Sequence, residues 1–266
     1  MAKTKFIREN VSSDILKRVI IRADYQGFSG VDDLDKFIIS LKTYWGEYFQ
    51  KYVTTENKNF NINLGKDGMT LFDTEKYRVH RFSDSRIGSS QALMDITGKA
   101  ASIEVTCTSP YEGSDGYLDC MARFIKILKD YDPYVEITRI GIRKFDYVFK
   151  PVVSEIDNIL ETKVWSVYQD SPRIIPEKKE YKDYVRLESG TLINIARIIE
   201  KVKKGDIEQY RLTFDADAYR TNERLNNSDM RNFNQNKQLL RDINKPLFDF
   251  FIKTFKEEYI NAFYNG

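Results

Sequence analysis

One histidine, His80, and two cysteines, Cys107 and Cys120, are all that the chain offers of the side chains most used for zinc binding and for nucleophile–base pairs. Two thiols at irregular spacing make neither a disulfide framework nor a zinc site. Both read as free cysteines of a reducing compartment. A lone histidine with no matched nucleophile reads as a packed or surface residue rather than a base. Six prolines and 13 glycines in 266 residues leave little room for long flexible linkers. Charge of one sign is lacking too: 42 basic against 40 acidic residues give a net +2, a weak drive toward a polyanionic partner. No run approaches the ~18 apolar residues of a membrane helix. The opening MAKTKFIREN lacks the apolar core of a signal peptide, so the expected setting is the cytoplasm. No phosphate loop or dinucleotide fingerprint occurs, and no cofactor is expected.

Aromatics are plentiful, with 17 Phe, 17 Tyr and 2 Trp, which suits sheet and thick packing. Apolar spacing of three and four predicts helices over 31–53 and 114–132 and a long closing helix, which Pro246 should kink or restart. A helix is also expected over 151–168, after Pro151. Between Phe60 and Thr108 the period drops to two, which predicts a meander of five short strands. Strands are further expected near 14–25, over 134–149, and as an antiparallel trio from 184 to 219. The class is α+β, antiparallel sheets covered by amphipathic helices, arranged as two similar lobes. The expected division is 1–170 and 171–266, packed as one unit, with the loop at 171–181 as the boundary.

The strand YVEITRIGIRKFDYVF (134–149) carries the one unusual pattern. Alternation puts Val135, Ile137, Arg139, Gly141, Arg143, Phe145 and Tyr147 on one face, with the two arginines about 13 Å apart at ~3.3 Å per residue. One reading is a binding site, in which two guanidinium forks flank bare backbone at Gly141 and grip an anion. The other is an ion-pair network with Asp215 and Asp217 of LTFDADAY. In that case Arg143→Met should cost the ~3–5 kcal/mol of a broken buried pair. The aspartates alone also suggest a divalent metal, but no third ligand sits at readable spacing, and neither a catalytic nor a metal-binding set is assigned. The Asn-rich stretch 220–238, with Arg220, Arg224, Arg231 and Lys237, reads either as a connection or as a nucleic-acid contact.

RIGIRKFDYVF (139–149) resembles the Arg-x-Gly-Leu-Arg strand of a sporadically distributed bacterial family of about this length and of uncharacterised function, with Ile142 in place of the usual Leu. LTFDADAY (212–219) is similar to that family's acidic strand, and both end in an aromatic-rich helix. The resemblance supplies no catalytic residues. The patchy distribution implies a defence or toxin–antitoxin-like setting. Three functions follow as expectations. The first is a non-enzymatic regulatory subunit acting with a partner protein encoded nearby. The others are a nucleic-acid-binding module and a metal-dependent phosphoesterase or nuclease. Self-association is compatible with each.

Overall fold

The computed structural model describes residues 16–28, 30–58, 61–65, 68–72, 76–88, 90–107, 115–161, 177–226 and 229–262. Its frame is one antiparallel sheet. In chain order its strands are β1 (Leu16–Gln26), β2 (Phe49–Lys58), β5 (Lys76–Ser85), β6 (Gln91–Ile96), β7 (Ala100–Thr106), β8 (Glu136–Lys150), β9 (Lys178–Arg186), β10 (Leu192–Lys204) and β11 (Ile207–Thr221). In space the order is β2-β5-β6-β7-β1-β8-β11-β10-β9, so β2 and β9 are its edges. Strands β3 (Asn61–Gly65) and β4 (Gly68–Phe72) form a separate two-stranded sheet. Strands from before and after residue 170 belong to the same large sheet and meet at β8–β11.

One face of the sheet is apolar from edge to edge. A single transverse row runs Tyr52, Phe82, Met94, Ile103, Ile21, Ile142, Ala218, Ile193, Val185. Helices α1 (Val31–Trp45), α2 (Asp115–Tyr131) and α4 (Phe233–Thr254) bury that face. Phe37 and Trp45 of α1 meet Phe124 of α2 at 5.9 and 6.4 Å between rings. Helix α4 lies beside α2, held by Lys237–Asp119 at 2.7 Å and Arg241–Asp115 at 2.9 Å. The buried Lys129 Nζ donates to the carbonyls of Pro133 and Val135 at 2.8 and 2.6 Å. These bonds tie the end of α2 to the turn that launches β8.

Several expectations change. Helix α1 stops at Trp45, and residues 49–53 begin β2 instead. Gly46 follows the last turn, and the β-branched and aromatic run from Tyr52 to Thr55 favours a strand. The expected helix after Pro151 shrinks to α3 (Val153–Asp157), while 162–168 lie outside the described residues. The expected boundary loop is outside them up to 176, and β9 occupies 178–186. The stretch 220–238 becomes the end of β11, two 3-10 turns and the start of α4. Helix α4 runs through Pro246 without a break. Its buried stripe of Leu240, Ile243, Leu247 and Phe251 outweighs the one hydrogen bond that proline removes. The break falls at Phe255, where the extended backbone bridges Leu160. There Lys256 N donates to Ile159 O at 2.9 Å, and the short helix α5 (Glu257–Asn261) follows.

Phe255 is fully buried, 4.9 Å from Phe251 and 6.0 Å from Phe214 between rings. Phe255→Ala should therefore cost ~3–5 kcal/mol, as expected for an emptied aromatic site. Urea unfolding is the measurement, with a loss below ~1 kcal/mol as the contrary result.

Candidate functional site

The second face of the sheet carries no helix among the described residues, and its side chains stand half-exposed. Arg18, Ile20, Arg22 and Asp24 project there from β1, and Arg139, Gly141, Arg143, Phe145, Tyr147 and Phe149 from β8. Strand β11 adds Arg211, Thr213, Asp215, Asp217 and Tyr219. Ile137 leaves this set. A bulge between Asp24 and Tyr25 of β1 makes Thr138 an extra residue on β8, which turns Ile137 into the core. Val135 lies before the strand and is also buried.

All four site residues come together on this face. Arg143 sits opposite Asp217 in register but reaches one row along to Asp215, which it grips with both Nε (2.8 Å) and Nη2 (2.6 Å). Arg139 reaches two rows along, past Tyr219, to Asp217 Oδ2 at 2.8 Å. Its other side faces Asp24 at 3.7 Å, and Asp24 also holds Arg22 at 2.6 Å. The network Arg22–Asp24–Arg139–Asp217 thus crosses three strands.

Gly141 explains the long reach of Arg139. A Cβ there would stand 3.2 Å from Arg139 Nη2 and 3.0 Å from Tyr219 Cβ. The arginine lies across the glycine with its guanidinium 4.4 Å from the Tyr219 ring centre. The backbone between the two arginines is therefore covered by Arg139 itself. The pairs are also less buried than expected, with Arg143 at 47% and Asp215 at 14% side-chain exposure. The hydrogen bonds to Asp215 raise the Arg143 pKa further. Burial raises that of Asp217, against the pull of both arginines.

Beside these pairs the face dips into a depression of about 440 Å³. Its floor is Asn194 and Ala196 of β10. Its walls are Arg143, Asp215 and Asp217 on one side and Lys182 and Tyr184 on the other. Nothing in one-dimensional spacing marked β9 and β10 as contributors, because their register to Asp215 and Asp217 is set only by folding.

The remaining candidates lie elsewhere. His80 is 2% exposed on the helix-covered face. It shares a 2.7 Å hydrogen bond through Nδ1 with Tyr52 Oη, which in turn accepts from Thr54 Oγ1 at 2.6 Å. Its Nε2 stands 3.2 Å from Asp35 Oδ1 without the alignment of a hydrogen bond. Burial lowers its pKa, aided by Arg78 and Lys42 and opposed by Asp35. Burial pushes Cys107 up to about 11 and raises the fully buried Cys120 further, so both remain thiols at neutral pH. Burial also lifts the carboxyl of Asp146, on the core face of β8, to about 7 despite Lys144 and Lys17. Among the described residues no group of three or more His, Cys, Asp or Glu is placed to hold a metal ion, and an arginine engages each of the two aspartates. Within 220–238, Arg220 donates to Thr191 Oγ1, Arg224 packs on Gly190, and Lys237 pairs with Asp119.

At this exposure the Arg143–Asp215 pair should contribute ~0.5–1 kcal/mol, not the buried-pair figure. Arg143→Met should cost ~1–2 kcal/mol with the loss of its stacking on Phe145, 4.6 Å away. A double-mutant cycle with Asp215→Asn should return a coupling of ~0.5–1 kcal/mol. A coupling near zero by thermal unfolding would show the pair to be idle.

His80 and Asp146 give stability opposite pH slopes. The folded pKa of His80 lies below its unfolded ~6.5, so its contribution is lost as pH falls from 6.5 toward the folded value. The folded pKa of Asp146, about 7, lies above its unfolded ~3.9. Its contribution is therefore full below the unfolded value and lost as pH rises through 7. As pH rises from ~4 to 7 Asp146→Asn should gain relative to the wild type, and His80→Gln should flatten the fall below ~6.5. Chemical unfolding of both variants across pH reads each slope separately. No protein-family model and no curated protein matches the chain.

Proposed function

We propose that this chain is a non-enzymatic interaction subunit that docks a partner protein on the open face of its sheet. The observation that carries the reading is the internal pairing of that face. Arg18–Glu104, Arg22–Asp24, Arg81–Asp95, Arg139–Asp217, Arg143–Asp215 and Arg211–Glu200 each close within 2.8 Å. Guanidinium groups lie over Phe145, Tyr147 and Tyr219. Arginine and aromatic side chains in balanced charge suit the core of a protein interface. A nucleic-acid surface would instead hold its arginines free for phosphates. Among the described residues no helix is long and apolar enough to cross a membrane; the cytoplasm is the setting we propose. The resemblance carried by 139–149 and 212–219 adds the setting: a bacterial defence or toxin–antitoxin-like system with the partner encoded nearby. Nucleic acid is the second reading, favoured by the aromatic rings on the face, which are suited to base stacking.

The test compares charge reversals on the two faces. Arg22→Glu with Arg143→Glu, on the open face, should lower capture and cross-linking of the partner from host extract about tenfold or more, as loss of a central arginine anchor does. Lys36→Glu with Lys245→Glu, on the exposed sides of α1 and α4, should leave capture unchanged. Equal loss in both pairs refutes the reading. Recovery of nucleic acid alone supports the second.

A further inference from the structure

The depression beside Asp217 contains one carboxylate oxygen and one aromatic ring whose counterparts are missing. Arg139 engages Oδ2 of Asp217, and no described residue donates to Oδ1. Burial raises the pKa of this group, so a positive charge delivered here is favoured over bare ionisation. The charges lining the depression all have internal partners, Asp217 included through its Oδ2, so what Asp217 leaves open is the acceptor Oδ1. Arg143 is held by Asp215, Lys182 by Glu180 at 2.9 Å and Asp183 by Arg197 at 2.5 Å. The rings show the same contrast. Tyr219 and Phe145 carry guanidinium groups at 4.4 and 4.6 Å from their centres. Tyr184 is 62% exposed, and no cation lies over it among the described residues. Its hydroxyl neighbours that of Tyr219 and helps to raise the Tyr219 pKa. Tyr184 and Asp217 face each other across Asn194, one residue from each of three adjacent strands. Strands in a sheet lie ~4.8 Å apart, so the two flank a slot about two strand spacings wide.

We infer that this slot binds a guanidinium or ammonium group, supplied by the partner as an arginine or lysine side chain laid between Tyr184 and Asp217. The inference rests on the docking reading and names the chemistry of its anchor. The carboxylate supplies a charge-assisted hydrogen bond and the ring a cation–π contact.

The experiment uses N-acetyl-arginine amide as probe, N-acetyl-glutamine amide as its neutral counterpart and inorganic phosphate as the anion. Backbone amide shifts of the isotope-labelled full chain are followed by nuclear magnetic resonance. The expected result is weak, saturable shifts with the arginine probe at 182–184, 194–196 and 215–217, and none there with the other two. Tyr184→Ala and Asp217→Asn should each weaken binding about threefold or more, while Tyr184→Phe keeps the ring and most of the affinity. Tyr184 is exposed, so its variants test the slot even if Asp217→Asn disturbs folding. Absence of shifts, shifts with phosphate instead, or binding indifferent to Tyr184→Ala overturns the inference. The docking reading fails separately, in the capture of the partner by the charge-reversed pairs, which involves no small probe.

Discussion

The register between β8 and β11 runs without interruption from Lys150 opposite Tyr210 to Arg139 opposite Thr221. Every second pair in it closes the core: Ile142 with Ala218, Val148 with Leu212. The pairs between them bring the arginines of one strand within reach of the aspartates of the other. Because side chains alternate, a slip of one residue would exchange the two sets, sending charges under α4 and apolar groups to water. Core packing and the ion-paired face are therefore specified together. The apolar side resists the slip, and the salt bridges on the far side mark the correct alignment.

Much of this was legible in the amino-acid pattern. The five strands of the 60–108 region, the two flanking amphipathic helices and the closing helix follow from periodicity, but the single meander does not: β3 and β4 pair apart from the large sheet, and β5 pairs with β2 instead of β4. The proximity of Arg139 and Arg143 to Asp215 and Asp217 was legible too, since unlike charges at matching spacing on two long strands are compatible with one register. What periodicity missed has local causes. The aromatic spacing of Tyr48, Phe49 and Tyr52 continues the pattern of α1, yet Gly46 and the β-branched Val53, Thr54 and Thr55 end the helix and start β2. The bulge at Thr138 shifts Ile137 to the core, and nothing in composition signals an extra residue there. Pro246 was weighed by its propensity alone, without the buried stripe that holds α4 straight.

The site was harder to read than the fold. The arginine and aspartate members lie on two strands whose patterns are plain. Tyr184, Lys182 and Asn194 come from strands whose alignment emerges only when β9, β10 and β11 stack. Exposure was misjudged for a related reason. Guanidinium groups on an apolar strand suggest burial, but alternation lets β8 be greasy on one side and open on the other. The buried ionisable groups of that strand are Lys144 and Asp146, on the helix-covered side.

Among the described residues no strand pairs with the outer side of β2 or of β9, and such open rows of backbone amides and carbonyls invite the sheet of a neighbouring molecule. Edge strand β9 reads KKEYKDYVR, with Lys178, Lys179 and Lys182 distributed over both of its faces. Adding a second copy edge to edge would crowd these ammonium groups together, a penalty that natural sheets use against aggregation. At the opposite margin β2 carries Lys51 and Glu56 beside the exposed Val53, as β9 carries the exposed Tyr184. Both margins thus set charged side chains beside one exposed apolar or aromatic group, and it is the charge that opposes strand addition to this molecule.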